Sequence, residues 1–281
     1  MLNVAFVLIS IISGFFFTLG IFQLYNIMYF WVVLLVGLIT YIACFVLFLA
    51  FVAILSLFVS TKKKYTKPSK LYHWVVREAC DFIISVLRIR VKIKGREKLP
   101  KGTNFLLVGN HISNLDPILL LGTFKSRVFG AISKPENIKL PIIGKVIYRA
   151  FILPIDRENP RNAVATIVQA GDLMKNAGIN MILYPEGTRN KADAPLLPFK
   201  NGGFKIAQKA GTPIVVVKTI NSNKLRFPFV TTVTLDIVDI IFPEDYEGLN
   251  TNEIGDKVRL SILGEELYNK EKLEPAVETK E

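Results

Sequence analysis

The first 61 residues of this 281-residue chain contain no Asp, Glu, Lys or Arg. That absence excludes a water-facing globular start and points to a hydrocarbon phase. Residues 2–24 and 27–59 are each long enough to cross a core of about 30 Å, the second with length to spare for tilting. They predict a membrane hairpin, turning at Gln23-Leu24-Tyr25-Asn26, with interfacial Tyr29 and Trp31 beyond the turn. The start has no basic segment and no small-residue cleavage site, and a second apolar span follows at once, which speaks against a cleavable signal peptide. One span plus one interfacial helix is the alternative.

Cysteine is nearly missing. Of the two, Cys44 falls in an apolar span and Cys80 in a helical segment, so their placement supports no disulfide framework, metal site or thiol nucleophile. No Gly-x-Ser-x-Gly elbow occurs, and a hydrolase built on an activated serine therefore lacks its nucleophile. Lys200-Asn201-Gly202-Gly203-Phe204 is too short and wrongly ordered for a nucleotide-binding phosphate loop. No metal-ligand cluster or cofactor loop is apparent, and no bound metal or cofactor is expected.

Charge returns abruptly at Lys62. Residues 62–101 carry 13 Lys/Arg against 3 Asp/Glu, whereas the remainder carries 22 against 20. The formal +12 is thus mostly a membrane-proximal belt. Its position after the second span puts that end in the cytoplasm by the positive-inside rule, attracts anionic membrane lipids, and argues against nucleic acid as the partner. The chain accordingly divides into a two-helix anchor (1–61), a basic juxtamembrane and amphipathic segment (62–89), a domain (90–274) and a polar tail (275–281). Within the second part, residues 71–88 read as an amphipathic helix that either lies on the bilayer or packs on the domain.

Beyond residue 89, short β-rich runs at 91–93, 105–108, 128–132, 150–153, 179–184 and 214–219 alternate with helical stretches at 116–125, 160–176 and 201–210. A strand or strand pair at 230–240 and a closing helix over 251–270 follow. This alternation predicts an α/β domain with a central mixed sheet flanked by helices.

Three constellations fall directly behind strands of that pattern. Asn110-His111-Ile112-Ser113-Asn114-Leu115-Asp116-Pro117 places one of two histidines five residues before a carboxylate at a helix start. A neutral imidazole held by a carboxylate is a general base suited to a hydroxyl substrate; a structural histidine satisfied at a helix cap is the alternative reading. Glu186-Gly187-Thr188-Arg189 and Leu153-Pro154-Ile155-Asp156-Arg157 each deliver an arginine at a strand exit, where the guanidinium fork matches phosphate oxygens.

These blocks resemble the glycerolipid acyltransferase family. Four of its motifs stand in order: Asn110-His111 through Asp116, residues 151–157, Glu186-Gly187-Thr188-Arg189, and Gly211-Thr212-Pro213-Ile214-Val215-Val216. The resemblance covers roughly residues 90–220, and Pro154 departs from the usual residue in the second block. It implies an acyl transfer from an acyl-carrier-protein or coenzyme A thioester to the sn-2 hydroxyl of 1-acyl-sn-glycerol 3-phosphate (lysophosphatidic acid), forming phosphatidic acid. On it, His111 is the general base and Asp116 its orienting carboxylate. Arg157 and Arg189 hold the acceptor phosphate, and Glu186, Gly187 and Thr188 shape its pocket. The family commonly carries N-terminal membrane helices, which implies an integral cell-membrane protein with a cytoplasmic domain. Backbone N–H groups near the start of the 116–125 helix, or a side chain that the sequence does not identify, are expected to meet the oxyanion. Glycerol 3-phosphate, another lysophospholipid or a lipid without phosphate are alternative acceptors. A non-catalytic membrane lipid-binding or scaffold protein is the alternative of another class.

Overall fold

The computed structural model describes residues 1–25, 30–192 and 194–273. Of the turn expected at Gln23-Leu24-Tyr25-Asn26, the first three residues continue the opening helix, which runs to Tyr25, while Asn26 and the polar tail at 275–281 lie outside the described residues.

Two helices open the chain, α1 (Leu2–Tyr25) and α2 (Phe30–Leu57). Both are apolar all round, and both are long and apolar enough to cross a membrane. They pack where small residues let them: a Cβ on Gly14 would meet the Val33 carbonyl oxygen at 2.7 Å. Ser13 Oγ also bonds Thr40 Oγ1 across the pair at 3.0 Å. Small residues and cross-helix hydroxyls are how helices associate where no hydrophobic gain is available.

α3 (Lys70–Val86) is the base on which both ends of the hairpin rest. Leu2 N donates to Glu78 Oε2 at 3.0 Å, and the Met1 ammonium pairs with Asp81. At the other end Tyr72 OH donates to the Leu55 carbonyl at 2.9 Å. The two hairpin ends therefore emerge on one side. α3 also buries Val75, Val76, Cys80 and Ile84, so it packs on the domain while leaving Leu71 and Trp74 exposed. Burial pushes the Cys80 thiol up to about 12, in keeping with a packing residue.

The domain then runs β1 (Ile89–Lys94), β2 (Leu106–Gly109), α4 (Asp116–Thr123), β3 (Phe129–Ser133), α5 (Pro135–Lys139), α6 (Ile143–Arg149), β4 (Ile152–Pro154), α7 (Pro160–Ala177), β5 (Asn180–Leu183), α8 (Lys205–Ala210), β6 (Ile214–Ile220), β7 (Thr231–Ile241), α9 (Pro243–Tyr246), α10 (Thr251–Leu263) and α11 (Glu265–Leu273). The seven strands form one mixed sheet in the order β1-β7-β6-β2-β5-β3-β4. β6, β2, β5, β3 and β4 run parallel; β7 turns back antiparallel on β6, and β1 follows β7.

The central strands are continuous apolar runs because both faces are covered. Leu106, Val108, Met181 and Leu183 pack with Leu173 and Met174 of α7, Ala207 of α8 and Val258 of α10. Phe105, Leu107 and Ile182 face Leu120 of α4 and Leu235 of β7. Pro154 ends the edge strand β4, where a missing N–H breaks no ladder.

One expectation is narrowed and another changes. Of the strand or strand pair expected at 230–240, the structure has the single strand β7, in which buried residues alternate with partly buried ones. The closing helix is broken into α10 and α11 at Gly264, whose φ of +81° lies outside helical space.

Candidate active site

Parallel strands end on one edge, and that edge collects the three constellations. His111 follows β2, Arg157 follows β4 and Glu186 follows β5, all three strands pointing the same way. The carboxyl end of such strands, outside the sheet's own hydrogen bonding, is where α/β folds leave a crevice.

The His–Asp pair is made by the turn between them. His111 Nδ1 lies 2.9 Å from Asp116 Oδ2, which also accepts from Ile112 N and Ser113 N at 2.8 Å each. Asp116 is the first residue of α4, where a carboxylate suits the helix dipole, and it is wholly buried. Its other oxygen accepts from Ser222 Oγ, in the loop after β6. A carboxylate so placed is an acceptor only, which puts the proton on Nδ1 and leaves Nε2 as the base. The His111 side chain is 18% exposed.

The Glu186–Asn190 loop clamps the backbone of His111 from both sides. Glu186 Oε1 accepts from His111 N at 2.7 Å, while Asn190 N donates to the His111 carbonyl at 2.6 Å. Glu186 Oε2 accepts from Leu197 N at 2.9 Å. Both oxygens are thus spent on backbone, and burial outweighs those bonds to raise the Glu186 pKa. Glu186 thereby fixes the position of the histidine, each of its oxygens holding a backbone N–H of the site.

Below the imidazole lies Tyr184. The rings stack with centroids 4.4 Å apart at 23°. Burial and the charge of Asp116 hold the phenol well above its ordinary pKa, so it stays neutral, and its buried hydroxyl has no partner among the described residues. Gly109 lies beside it on the neighbouring strand, where a Cβ would press on the Val217 carbonyl oxygen at 3.0 Å.

Cations converge on the turn at Gly187. Arg157 Nη1 donates to the Gly187 carbonyl, joining the second and third motifs. A Cβ on Gly187, whose φ is +73°, would lie 3.2 Å from Lys200 Cδ and 3.3 Å from Arg157 Cζ, so only glycine admits both side chains. Burial lowers the Arg157 pKa, partly offset by the charge of Glu136. Thr188 and Arg189 are exposed on the same turn. Together these groups can hold a phosphate while His111 Nε2 takes a proton.

The oxyanion expectation fares differently. The N–H groups of Ile112 and Ser113 serve Asp116, that of Leu115 bonds Ser113 Oγ at 3.2 Å, and that of Asp116 bonds the Ser113 carbonyl. These donors at the start of α4 are already engaged in holding the carboxylate. Ser222, Tyr184, Asn190 and Lys200 escaped the sequence reading. Ser222 carries no local signal, whereas Lys200, just ahead of paired glycines, could have been flagged as a cation beside a close approach.

Comparison with known proteins agrees with this geometry. A family model described as acyltransferase matches residues 90–219. The 1-acyl-sn-glycerol-3-phosphate acyltransferase of Borreliella burgdorferi is 28% identical over 193 residues, covering 64% of this chain and 75% of that protein. The chloroplastic enzyme of that name from Arabidopsis thaliana is 36% identical over 157 residues, 56% of this chain and 43% of the relative. The human beta enzyme is 30% identical over 54% of this chain and 56% of its own length. The match thus spans only about half of the plant and human relatives. The crystal structure of the 1-acyl-sn-glycerophosphate acyltransferase PlsC from Thermotoga maritima superposes with a TM-score of 0.58 at 22% identity, over 100% of both chains, and shows the same fold.

Proposed function

Since the chain belongs to the acyltransferase family through residues 90–219, we propose that it transfers a fatty acyl group from a thioester to the sn-2 hydroxyl of lysophosphatidic acid, forming phosphatidic acid. The observation that carries this reading is the His111 imidazole, fixed at Nδ1 by buried Asp116 and partly open on an edge where Arg157 and Lys200 meet.

The chemistry follows from that placement. Nε2 takes the hydroxyl proton as the oxygen attacks the thioester carbonyl, and Asp116 stabilises the imidazolium that forms. Collapse of the tetrahedral intermediate expels the thiolate, which receives the proton back from Nε2. Arg157 and Arg189 grip the acceptor's phosphate and so fix its hydroxyl against the base, which makes the reaction effectively unimolecular. No metal and no cofactor enter these steps. The donor is coenzyme A or acyl carrier protein. The apolar hairpin and basic belt hold the site at the cytoplasmic face of the cell membrane, where a lipid acceptor and a soluble donor meet.

The test is acyl transfer by the detergent-purified chain, with acyl-coenzyme A and acyl-carrier-protein donors each offered to lysophosphatidic acid, glycerol 3-phosphate and lysophosphatidylcholine. Phosphatidic acid formed from lysophosphatidic acid, and lost in a normally folded His111→Ala variant, is the expected result. Product from another acceptor alone would overturn the substrate, and none from any pair would favour a binding or scaffold protein.

A further inference from the structure

A cavity of about 190 Å³ lies between α3 and the start of β3, at the amino end of that strand and hence across the sheet from His111. Lys70, Arg77, Lys125 and Arg127 line it together with His73 and Trp74, and no carboxylate does. Four cations around so small a space repel one another unless something anionic joins them. Their present partners leave much unsatisfied. Arg127 donates to two backbone carbonyls, those of Thr103 and Pro100, which carry no formal charge. Lys125 pairs with Asp81 at 2.8 Å and Arg77 with Glu78 at 3.3 Å, both acids standing outside the cavity lining.

Two buried atoms of the lining, Arg77 Nε and His73 Nε2, have no hydrogen-bond partner among the described residues. They differ in what they need. Arg77 Nε is a donor. His73 Nδ1 lies 2.9 Å from the Ser69 carbonyl and so carries the proton, which leaves Nε2 an acceptor on a ring that burial keeps neutral. An occupant that satisfies both brings negative oxygens and a hydroxyl together.

We propose that this cavity is a second phosphate site, taking an anionic phosphate that also carries a hydroxyl, either the headgroup of a membrane phospholipid or free phosphate. Spacing on α3 supports it, since Lys70, His73, Trp74 and Arg77 recur every three to four residues and share one face. Location supports the lipid source. Tyr72, on the opposite face of α3, donates to the Leu55 carbonyl in the last turn of α2, so the cavity lies across α3 from the end of a membrane-spanning helix. Exposed Leu71 and Trp74 border it, the kind of rim that enters a headgroup layer. The inference does not depend on the acyl-transfer reading, because none of its residues belongs to the His111 edge.

Trp74 supplies the readout. The chain has two tryptophans, and Trp31→Phe leaves Trp74 as the only reporter. Phosphatidylglycerol titrated into phosphatidylcholine nanodiscs holding the full chain should change Trp74 fluorescence saturably. A Lys70→Gln/Arg77→Gln variant should need at least tenfold more, with its melting temperature and its acyl transfer in detergent unchanged. Lys62→Gln/Lys64→Gln, which removes two charges from the belt, should bind as the parent does. Inorganic phosphate giving the same saturable change in neutral detergent would identify the free anion as the source. Equal weakening by both double variants would mean diffuse attraction to the belt and overturn the site, as would a Lys70→Gln/Arg77→Gln variant that binds normally.

Discussion

Ser222 donates its hydroxyl to Oδ1 of Asp116 from 106 positions further along the chain. The loop after β6 is thereby tied to the carboxylate that orients His111. Asp116 has no exposure to water, so an oxygen deprived of its donor stays deprived. Ser222→Ala should therefore destabilise the domain by about 1–3 kcal/mol, the usual cost of a buried acceptor left unsatisfied. It should also lower kcat about tenfold with little change in KM, because the imidazole is less firmly held while the substrate contacts remain. Steady-state kinetics and a denaturant titration on the purified variant check both, and Ser222→Thr, which keeps a hydroxyl, should recover part of the loss. An unchanged kcat would remove Ser222 from the positioning of the base.

How much of this was legible in the sequence depends on distance along the chain. The hairpin, the strand alternation and the His111–Asp116 pair rest on composition and near neighbours, and all were readable. That the pair closes through a five-residue turn rather than across a helix also followed from where α4 could begin. The bond from Ser222, the stack of Tyr184 and the clamp by Asn190 depend on which strands lie side by side. β5 and β6 flank β2 in space but follow it by some 70 and 105 residues, and no local pattern announces such neighbours. Glu186 was legible as part of the site, though not as the residue that pins the His111 backbone, since only the fold reveals where its two oxygens point.

Tyr184 offers a separable test. Its stacked ring limits the rotation of the imidazole, while its hydroxyl, neutral and without a partner among the described residues, contributes nothing that phenylalanine would lack. Tyr184→Phe should keep full activity and match or exceed the parent's stability by up to about 1 kcal/mol, as expected when an unpaired buried polar group is removed. Tyr184→Leu should lose the stack and lower kcat several-fold at unchanged KM. Comparison of the two variants by kinetics and thermal melting decides the point; a Phe variant as impaired as the Leu variant would assign the hydroxyl a part in the reaction.

Glu186 gives a pH dependence with a definite sign. Burial raises its folded-state pKa above the ordinary 4.5, so between those two values the folded chain holds more protons than the unfolded one. Stability from this group is then fully present below 4.5 and is lost as pH rises through the raised value. Glu186→Gln should flatten that component of the melting-temperature profile. The same variant should be less stable overall, because its amide NH₂ would face one of the two backbone N–H groups that now bond the carboxylate. Thermal melts of both proteins across the mildly acidic range, in one detergent, measure the difference, and parallel profiles would show that Glu186 does not titrate there.

Arg157 and Arg189 meet the same turn in different ways, and their variants should fail differently. Arg157 is bonded to the Gly187 carbonyl and packs against a glycine that only a missing Cβ makes room for. Replacing it therefore removes a cation and loosens the turn that also carries Glu186, so Arg157→Ala should raise KM for lysophosphatidic acid and lower kcat together. Arg189 is exposed on that turn, so its loss should leave the packing of the turn intact. Arg189→Ala should raise KM about tenfold, the value of one lost charge-assisted contact of about 1.5 kcal/mol, and leave kcat within twofold. Arg189→Lys should recover only part of the binding, since a point charge cannot reproduce the two-pronged grip on phosphate oxygens. The discriminating measurement is the split between KM and kcat for the phosphorylated acceptor. Equal falls in kcat for both alanine variants would mean that Arg189 too acts by holding the turn, and would leave Arg157 and Lys200 as the groups that meet the phosphate.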